Sequence, residues 1–368
     1  MRTLVGWDCE THLITPGNSF PRLVCCSFFY DDEDQMGNVL GREDSLEVFR
    51  ELLFDKDVVL VGQNIAYDVG ILVNEDPSLL PLVMDRYGKK FVCTKVQEQL
   101  LRIATNDPHI MRNLSLAHLV EKYLGENIFD TKNPDSWRLR YHLLDGIEPK
   151  KWPTDAYFYA LDDAKYALEV HKKQHSTRVL VQHPTSQILA NAPDQAEAAF
   201  ALRLLSGWGI CVDQSKVEEI RKALNKTADD SDALGWELGI LRENKQGQRP
   251  SRNLTYLREL VSTAYDGDPP RTVKGNIQTS SSVLAGSSCP KLRGFSEGDN
   301  ARKLLTTFVP ALEKGKKRPI TAHFNVLVRS GRTSCRSPNL QNIPRKGIRD
   351  AFVPRPGMVF CGVDYDTI

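Results

Sequence analysis

Short apolar runs and amphipathic stretches alternate along the first half of the chain. Thr3-Leu4-Val5-Gly6-Trp7 and Arg22–Phe29 are dense in β-branched and aromatic residues, as strands require, and Val58–Val61 is apolar throughout, as a strand buried on both faces would be. Asp31–Asp34 and Gly37 predict a turn. Ser45–Phe54, Ala66–Val73, Leu116–Leu124 and Thr154–Lys173 carry apolar residues at helical spacing, the last with Thr154 as its expected N-cap. Strands followed by helices predict an α/β domain with a mixed sheet, ending near residue 180.

His183–Gln195, polar and with two prolines, reads as a boundary. Gln195–Trp208 predicts an apolar helix stopped at Gly207 and Gly209, and Lys216–Leu241 a charged helical stretch. Residues 244–300, rich in Gly, Ser, Pro and Asn, predict helices broken by loops. His323–Val328 and Val359–Asp364 read as strands flanking a loop at Pro338–Pro344. The expected domains are therefore 1–182, 183–318 and 319–368.

Composition changes this picture little; charge changes it more. With 41% hydrophobic and 26% charged residues the chain has the composition of a globular protein, not of a disordered or fibrous one. No apolar run approaches the roughly 20 residues of a membrane helix, and the N-terminus turns acidic at Asp8, so no membrane partner and a cytoplasmic location are expected. The eight cysteines form no C-x-x-C pair, which argues against structural zinc and for reduced core residues. The net charge of +1 hides an asymmetry: residues 1–180 hold 21 basic against 28 acidic residues, and residues 301–355 hold 13 against 2. That basic excess suggests a polyanion partner for the C-terminal part.

Three short acidic motifs bear the chemistry. Asp8 and Glu10 are i and i+2 at the end of the first strand, so both carboxylates project from one face. Asn64 and Asp68 follow the buried strand at i and i+4, one helical turn apart, although Asn64 alone would equally serve as an N-cap. Tyr159 and Asp163 repeat the i, i+4 spacing in the long helix, with Asp162 turned away toward solvent. Each motif alone is common. Four carboxylates (Asp8, Glu10, Asp68, Asp163) brought together would repel unless cations neutralised them, and hard oxygen ligands suit two Mg²⁺ or Mn²⁺ ions, the usual arrangement for water attack on a phosphodiester.

The set D-x-E, N-x-x-x-D and Y-x-x-x-D, in this order, resembles the three motifs of DnaQ-like 3′–5′ exonucleases, with Tyr159 indicating the tyrosine subclass. The resemblance covers residues 1–175. It implies a ribonuclease H-like fold, Asp8, Glu10, Asp68 and Asp163 as metal ligands, and Tyr159 as the group orienting the attacking water. It also implies contacts from Thr11, Leu13 and Asn64 to a single-stranded 3′ end, and a connecting helix over Ser115–Gly125. Cys93 stands where many relatives have Asp.

Further on, Ser330-Gly331-Arg332-Thr333-Ser334 and Pro338-Asn339-Leu340-Gln341-Asn342-Ile343-Pro344 resemble the signatures of family A DNA polymerases, and Val363-Asp364-Tyr365 resembles their palm motif A. This implies a mostly helical thumb and an incomplete palm after the exonuclease domain. It also implies Arg332, Asn339, Gln341 and Asn342 on primer–template DNA, Arg345 on phosphate, and Asp364 as a palm metal ligand. The fingers and the second palm Asp of that family are missing from the sequence, so the chain alone is expected to degrade DNA rather than copy it, unless a C-terminal half docks in trans. The start of the exonuclease motif at Asp8 makes the arrangement similar to phage polymerases. Two other readings stay open: a non-enzymatic DNA-binding subunit of a split polymerase, and an exoribonuclease like ribonuclease D, against which the polymerase signatures count.

Overall fold

A computed structural model describes residues 2–15, 17–31, 36–129, 136–177, 184–244, 250–344 and 347–363. Its first elements are β1 (Thr3–Thr11), β2 (Leu23–Tyr30), β3 (Gly37–Gly41), α1 (Arg42–Phe54), β4 (Val58–Gly62), α2 (Ala66–Glu75), α3 (Leu80–Lys90), β5 (Phe91–Cys93), α4 (Thr94–Ala104), α5 (Leu116–Leu124) and α6 (Thr154–Ser176). After these come α7 (Thr185–Ile188), α8 (Ala192–Trp208), β6 (Cys211–Val212), α9 (Gln214–Glu237), β7 (Leu241–Arg242), β8 (Ser251–Arg252), α10 (Leu254–Ala264), α11 (Ser281–Gly286) and α12 (Pro290–Thr307). The last are α13 (Val309–Lys314), β9 (His323–Asn325), β10 (Ser334–Arg336) and β11 (Phe352–Val353).

The described chain forms two compact units, Met1–Gly209 with Thr321–Gln341, and Ile210–Ile320 with Asn342–Ile368. Chain contacts therefore break elsewhere than composition does: α8 and the β9/β10 hairpin lie with the first unit.

In the first unit five strands run in the order β3-β2-β1-β4-β5. β3, β2 and β1 pair antiparallel, while β1, β4 and β5 pair parallel. Val5, Trp7 and Cys9 bury one face of β1, which turns Asp8 and Glu10 to the other. The buried face is built on aromatic rings: Trp7 against Phe49 at 5.5 Å, Phe91 against Tyr87 at 4.6 Å, and Phe200 of α8 stacked on Tyr87 at 4.8 Å. Burial of each phenylalanine ring stabilises the fold by roughly 1.5–3 kcal/mol.

α6 covers the opposite face through small residues. Ala156, Ala160, Ala164 and Ala167 are buried on it, and Ser27 of β2 donates to the Ala160 carbonyl at 2.6 Å. The approach is so close that a Cβ on Gly6 would lie 2.1 Å from the Ala164 carbonyl oxygen. Glycine at position 6 is what lets this helix sit down on β1.

In the second unit α9 packs along α12. Ser231 donates to the Phe295 carbonyl at 2.8 Å, and Ile240, Leu257, Leu284 and Phe295 fill one core. Val217, Phe308, Leu312 and Ile348 fill another.

Several sequence expectations need correction. Gly37 opens an edge strand rather than ending a turn; its five residues, bounded by glycines, carry too little apolar alternation to read as a strand. Residues 32–34 of the expected turn lie outside the described residues. Thr154 is the first helical residue of α6, and the cap position is Pro153, with no side-chain cap bond. α3, β5 and α4 fill the stretch between α2 and α5 for which the hydrophobic pattern offered no prediction. The strand expected over His323–Val328 stops at Asn325. No strand forms at Val359–Val363, where Val359 is 86% and Val363 91% exposed and no partner strand lies alongside among the described residues.

Candidate functional site

Asp8 and Glu10 stand on β1, Asp68 in the first turn of α2, and Tyr159 and Asp163 on α6. The tight packing of α6 on Gly6 carries Asp163 to the strand carboxylates. Oxygens of Asp8, Glu10 and Asp163 lie within 4.8 Å of one another, a group that could hold a metal ion. Asp68 is not in that group. It is 3% exposed, and its Oδ2 has no hydrogen-bond partner among the described residues.

The four carboxyl groups nonetheless feel one another. Burial, then Asp68, Asp163 and Glu10 push the Asp8 carboxyl well above the usual carboxylate range. Burial, Asp163 and Asp68 do the same for Glu10. Burial raises Asp68 against the pull of two backbone N–H groups and Arg203, and burial with Asp162 takes Asp163 up to about 7. Without cations these groups hold their protons to higher pH than ordinary carboxyls do. An orphaned, buried Asp68 oxygen beside three converging carboxylates is the donor set that hard divalent cations take, so the residues fit such ions.

Tyr159 is half-buried, and burial together with Asp163, Glu10 and Asp8 pushes its phenol far up, so it stays protonated at neutral pH. Asp162, expected in solvent, is half-buried, and burial raises its carboxyl.

The residues expected around a strand end are distributed unevenly. Thr11 Oγ1 shares a hydrogen bond with the Tyr67 hydroxyl at 2.9 Å, and Leu13 is 46% exposed beyond it. The segment bearing Leu13 is anchored at His12, whose Nε2 lies 2.9 Å from Asp145 Oδ2; the same oxygen pairs with Arg22, and the other oxygen of that carboxylate pairs with Arg42. Asn64 is neither an N-cap nor on the helix face of Asp68. It precedes α2 with φ +61°, and its Oδ1 accepts from Lys95 Nζ at 3.0 Å.

Arg332 is exposed next to Gly331, and Gln341 donates to Thr333 Oγ1 at 2.7 Å. Asn339 is half-buried and Asn342 exposed, both in the loop of the second signature. Arg345 and Asp364 lie outside the described residues.

Two cations escaped the sequence reading. Arg138, on the turn Trp137–Leu139, opposes the upward shifts of Glu10, Asp163 and Tyr159. Arg203 of α8 lies 4.8 Å from the ring centres of both Phe20 and Tyr67, donates to the Ser19 carbonyl, and opposes the upward shift of Asp68. Neither sits in a motif; each is brought in by tertiary packing.

Residues 2–176 match the family described as 3′-5′ exonuclease, and residues 256–368 match DNA polymerase family A. DNA polymerase I of Rhizobium leguminosarum is 25% identical over 350 residues, which cover 90% of this chain and 31% of the relative. DNA polymerase I of Pseudomonas aeruginosa is 24% identical over 351 residues, covering 89% of this chain and 35% of the relative. The chain thus spans about a third of the length of these curated relatives. The solved POL domain of Pol1 from M. smegmatis, in complex with DNA primer-template and dNTP, shares the fold. Its TM-score is 0.59 at 16% identity, over 96% of this chain and 55% of that one. The chain is thus similar to DNA polymerase I over most of its length, with a match to the 3′-5′ exonuclease family followed by a match to DNA polymerase family A.

Proposed function

We propose that the chain is a metal-dependent 3′–5′ exonuclease of the tyrosine subclass that removes nucleotides from the 3′ end of DNA. The observation carrying this reading is the convergence of Asp8, Glu10 and Asp163 within 4.8 Å, backed by the buried Asp68 and flanked by Tyr159. These four carboxylates would hold two Mg²⁺ or Mn²⁺ ions. Bound there, such ions supply Lewis acidity toward the phosphoryl oxygens and lower the pKa of water.

The chain's own groups do the rest. Tyr159, kept protonated, orients the attacking water by a hydrogen bond rather than taking its proton. The water oxygen loses a proton to solvent and forms a bond to phosphorus as the bond from phosphorus to the 3′-oxygen breaks, and the departing 3′-oxygen takes up a proton. A 5′-mononucleotide leaves, and the shortened strand keeps a 3′-hydroxyl. Arg138 faces the same carboxylates and offsets negative charge that builds on the phosphoryl group. Leu13 and Thr11 at the end of β1 meet the terminal nucleotide, and Asn64 holds the strand beside it. The polymerase-type loop, with Arg332, Asn339, Gln341, Asn342 and Arg345, contacts primer–template DNA through sugar and phosphate, independently of sequence. Asp364 belongs to the palm of the same system.

The test is shortening of a 5′-labelled single-stranded oligonucleotide in Mg²⁺ beside an Asp8→Ala variant. A ladder from the 3′ end that the variant fails to make is the expected result. An uncut oligonucleotide from folded parent protein would sink the proposal.

A further inference from the structure

Beside Asn64 opens a cavity of about 190 Å³ that none of the motifs above explains. Four cationic or protonatable groups line it: Lys95 of α4, Arg203 of α8, and His323 and Arg336 from the two strands of the β9/β10 hairpin. No Asp or Glu lines it among the described residues. A wider cavity of about 570 Å³ shares Asn64, Lys95, Asn325 and Arg336 with the first, so the two form one trough with a common basic wall.

Neutral groups fix Lys95 and Arg203 in place, although Arg203 also feels the Asp68 carboxyl. Lys95 Nζ spends one donor on Asn64 Oδ1 at 3.0 Å and keeps two. Arg203 is fixed between the Phe20 and Tyr67 rings, and its buried Nε has no partner among the described residues. Arg336 and His323 are exposed at the rim. Burial and the nearby positive charges of Arg336 and Arg203 hold the Lys95 ammonium below its usual range, a repulsion that a bound anion would relieve.

We infer that this trough binds phosphate groups of a nucleic-acid strand, on the Asn64 side of the bond that the carboxylates address. The inference rests on the exonuclease reading for the identity of the strand. A backbone fits better than a free nucleotide because the basic wall runs along both cavities. The wider one adds apolar Met111 and Leu114, which suit sugar and base. Segment 323–336 would then serve the exonuclease site, although it contains the first polymerase-type signature, Ser330–Ser334, and directly precedes the second.

The experiment is fluorescence anisotropy of a 5′-labelled single-stranded oligonucleotide at several salt concentrations in EDTA, so that binding is read without cleavage. Arg336→Gln and Lys95→Gln are each expected to weaken binding about fivefold. Each should also flatten the slope of log K against log salt by about 0.7, the share of one phosphate contact on a single strand. Arg336→Lys is expected to restore the slope. Arg336 is exposed, so its variants should keep the parental circular dichroism spectrum and melting temperature. Parental affinity and slope in a folded Arg336→Gln, Lys95→Gln double variant would overturn the inference. If the double variant instead lost only competition by a free nucleoside monophosphate, with strand binding intact, the phosphate would come from nucleotide and the assignment to a strand would fail. Charge-dependent binding by a protein that cuts nothing would count against the nuclease reading alone, whereas charge-independent binding by an active nuclease would count against the trough alone.

Discussion

Replacing Gly6 by Ala tests how the site is assembled, because the change lies outside the chemistry yet acts on its geometry. The added methyl would sit 2.1 Å from the Ala164 carbonyl oxygen, 2.9 Å from its carbon and 3.2 Å from Leu168 Cβ. Two of these three neighbours are backbone, so no side-chain rotation relieves the clash. A relaxed carbon–oxygen contact needs at least about 3.3 Å, so α6 must back away from β1 by about 1 Å. Overpacking of this kind costs about 2–3 kcal/mol, or about 5–10 °C in melting temperature for a domain of this size. The same displacement carries Asp163 and Tyr159 away from Asp8 and Glu10, and a misplacement of about 1 Å at a reacting centre costs on the order of 100-fold in rate. The assay is oligonucleotide shortening well below the melting temperature, beside thermal denaturation. Gly41→Ala is the control, since its Cβ would meet only Pro149 Cδ at 3.9 Å, and it should stay near the parent in both measurements. A Gly6→Ala protein that melts and cuts like the parent would refute the close-packing account of the site.

Other outcomes follow from the charges. The Asp163 carboxyl titrates near 7 in the folded chain against about 3.9 when unfolded, so the native state retains a proton that the unfolded state releases. Metal-free protein should therefore lose stability as pH rises from about 4 to about 7, and Asp163→Asn should reduce that slope in urea unfolding with EDTA; parallel slopes would refute this. Mg²⁺ or Mn²⁺ added at pH 7.5 should raise the melting temperature of the parent and not of an Asp8→Ala, Asp163→Ala double variant, since binding only to the native state stabilises it. Asp145→Ala leaves His12, Arg22 and Arg42 without their shared acceptor. It should cost about 2 kcal/mol in denaturant unfolding and raise KM for the oligonucleotide more than it lowers kcat. Arg203→Met removes a cation held between two rings and should destabilise by about 1–2 kcal/mol, with an unchanged melting curve as the contrary result.

The central strands and the long helices were legible because burial there is written into the residue pattern. Val58–Val61 is apolar at every position, and Asp8 and Glu10 alternate with buried Trp7 and Cys9. The convergence of Asp8, Glu10 and Asp163 followed from strand and helix periodicity joined to family resemblance. The edge strand β3 did not show, because an edge needs few apolar residues, and β5 is only three residues long. Asn64 was misplaced because i, i+4 spacing assumes a helix that had not yet begun; φ +61° is a backbone state that spacing cannot reveal. Arg138 and Arg203 were invisible for a different reason. Their roles depend on which turn and which helix pack against the sheet, and no local pattern encodes that.

The first unit is also discontinuous in sequence. Gln99 donates to the Leu327 carbonyl 228 residues onward, and Arg329 to Asn106 across 223. A ribosome making this chain would release the central sheet and α8 long before the hairpin that joins them existed. Contacts of such long range slow folding, because the closure entropy of the intervening loop is lost before the contacts repay it. During synthesis the wall of α4 and α8 that β9 and β10 later meet would stay open to water and to other nascent chains, within the interval when aggregation competes with folding. Expression of residues 1–209 alone would make that interval permanent.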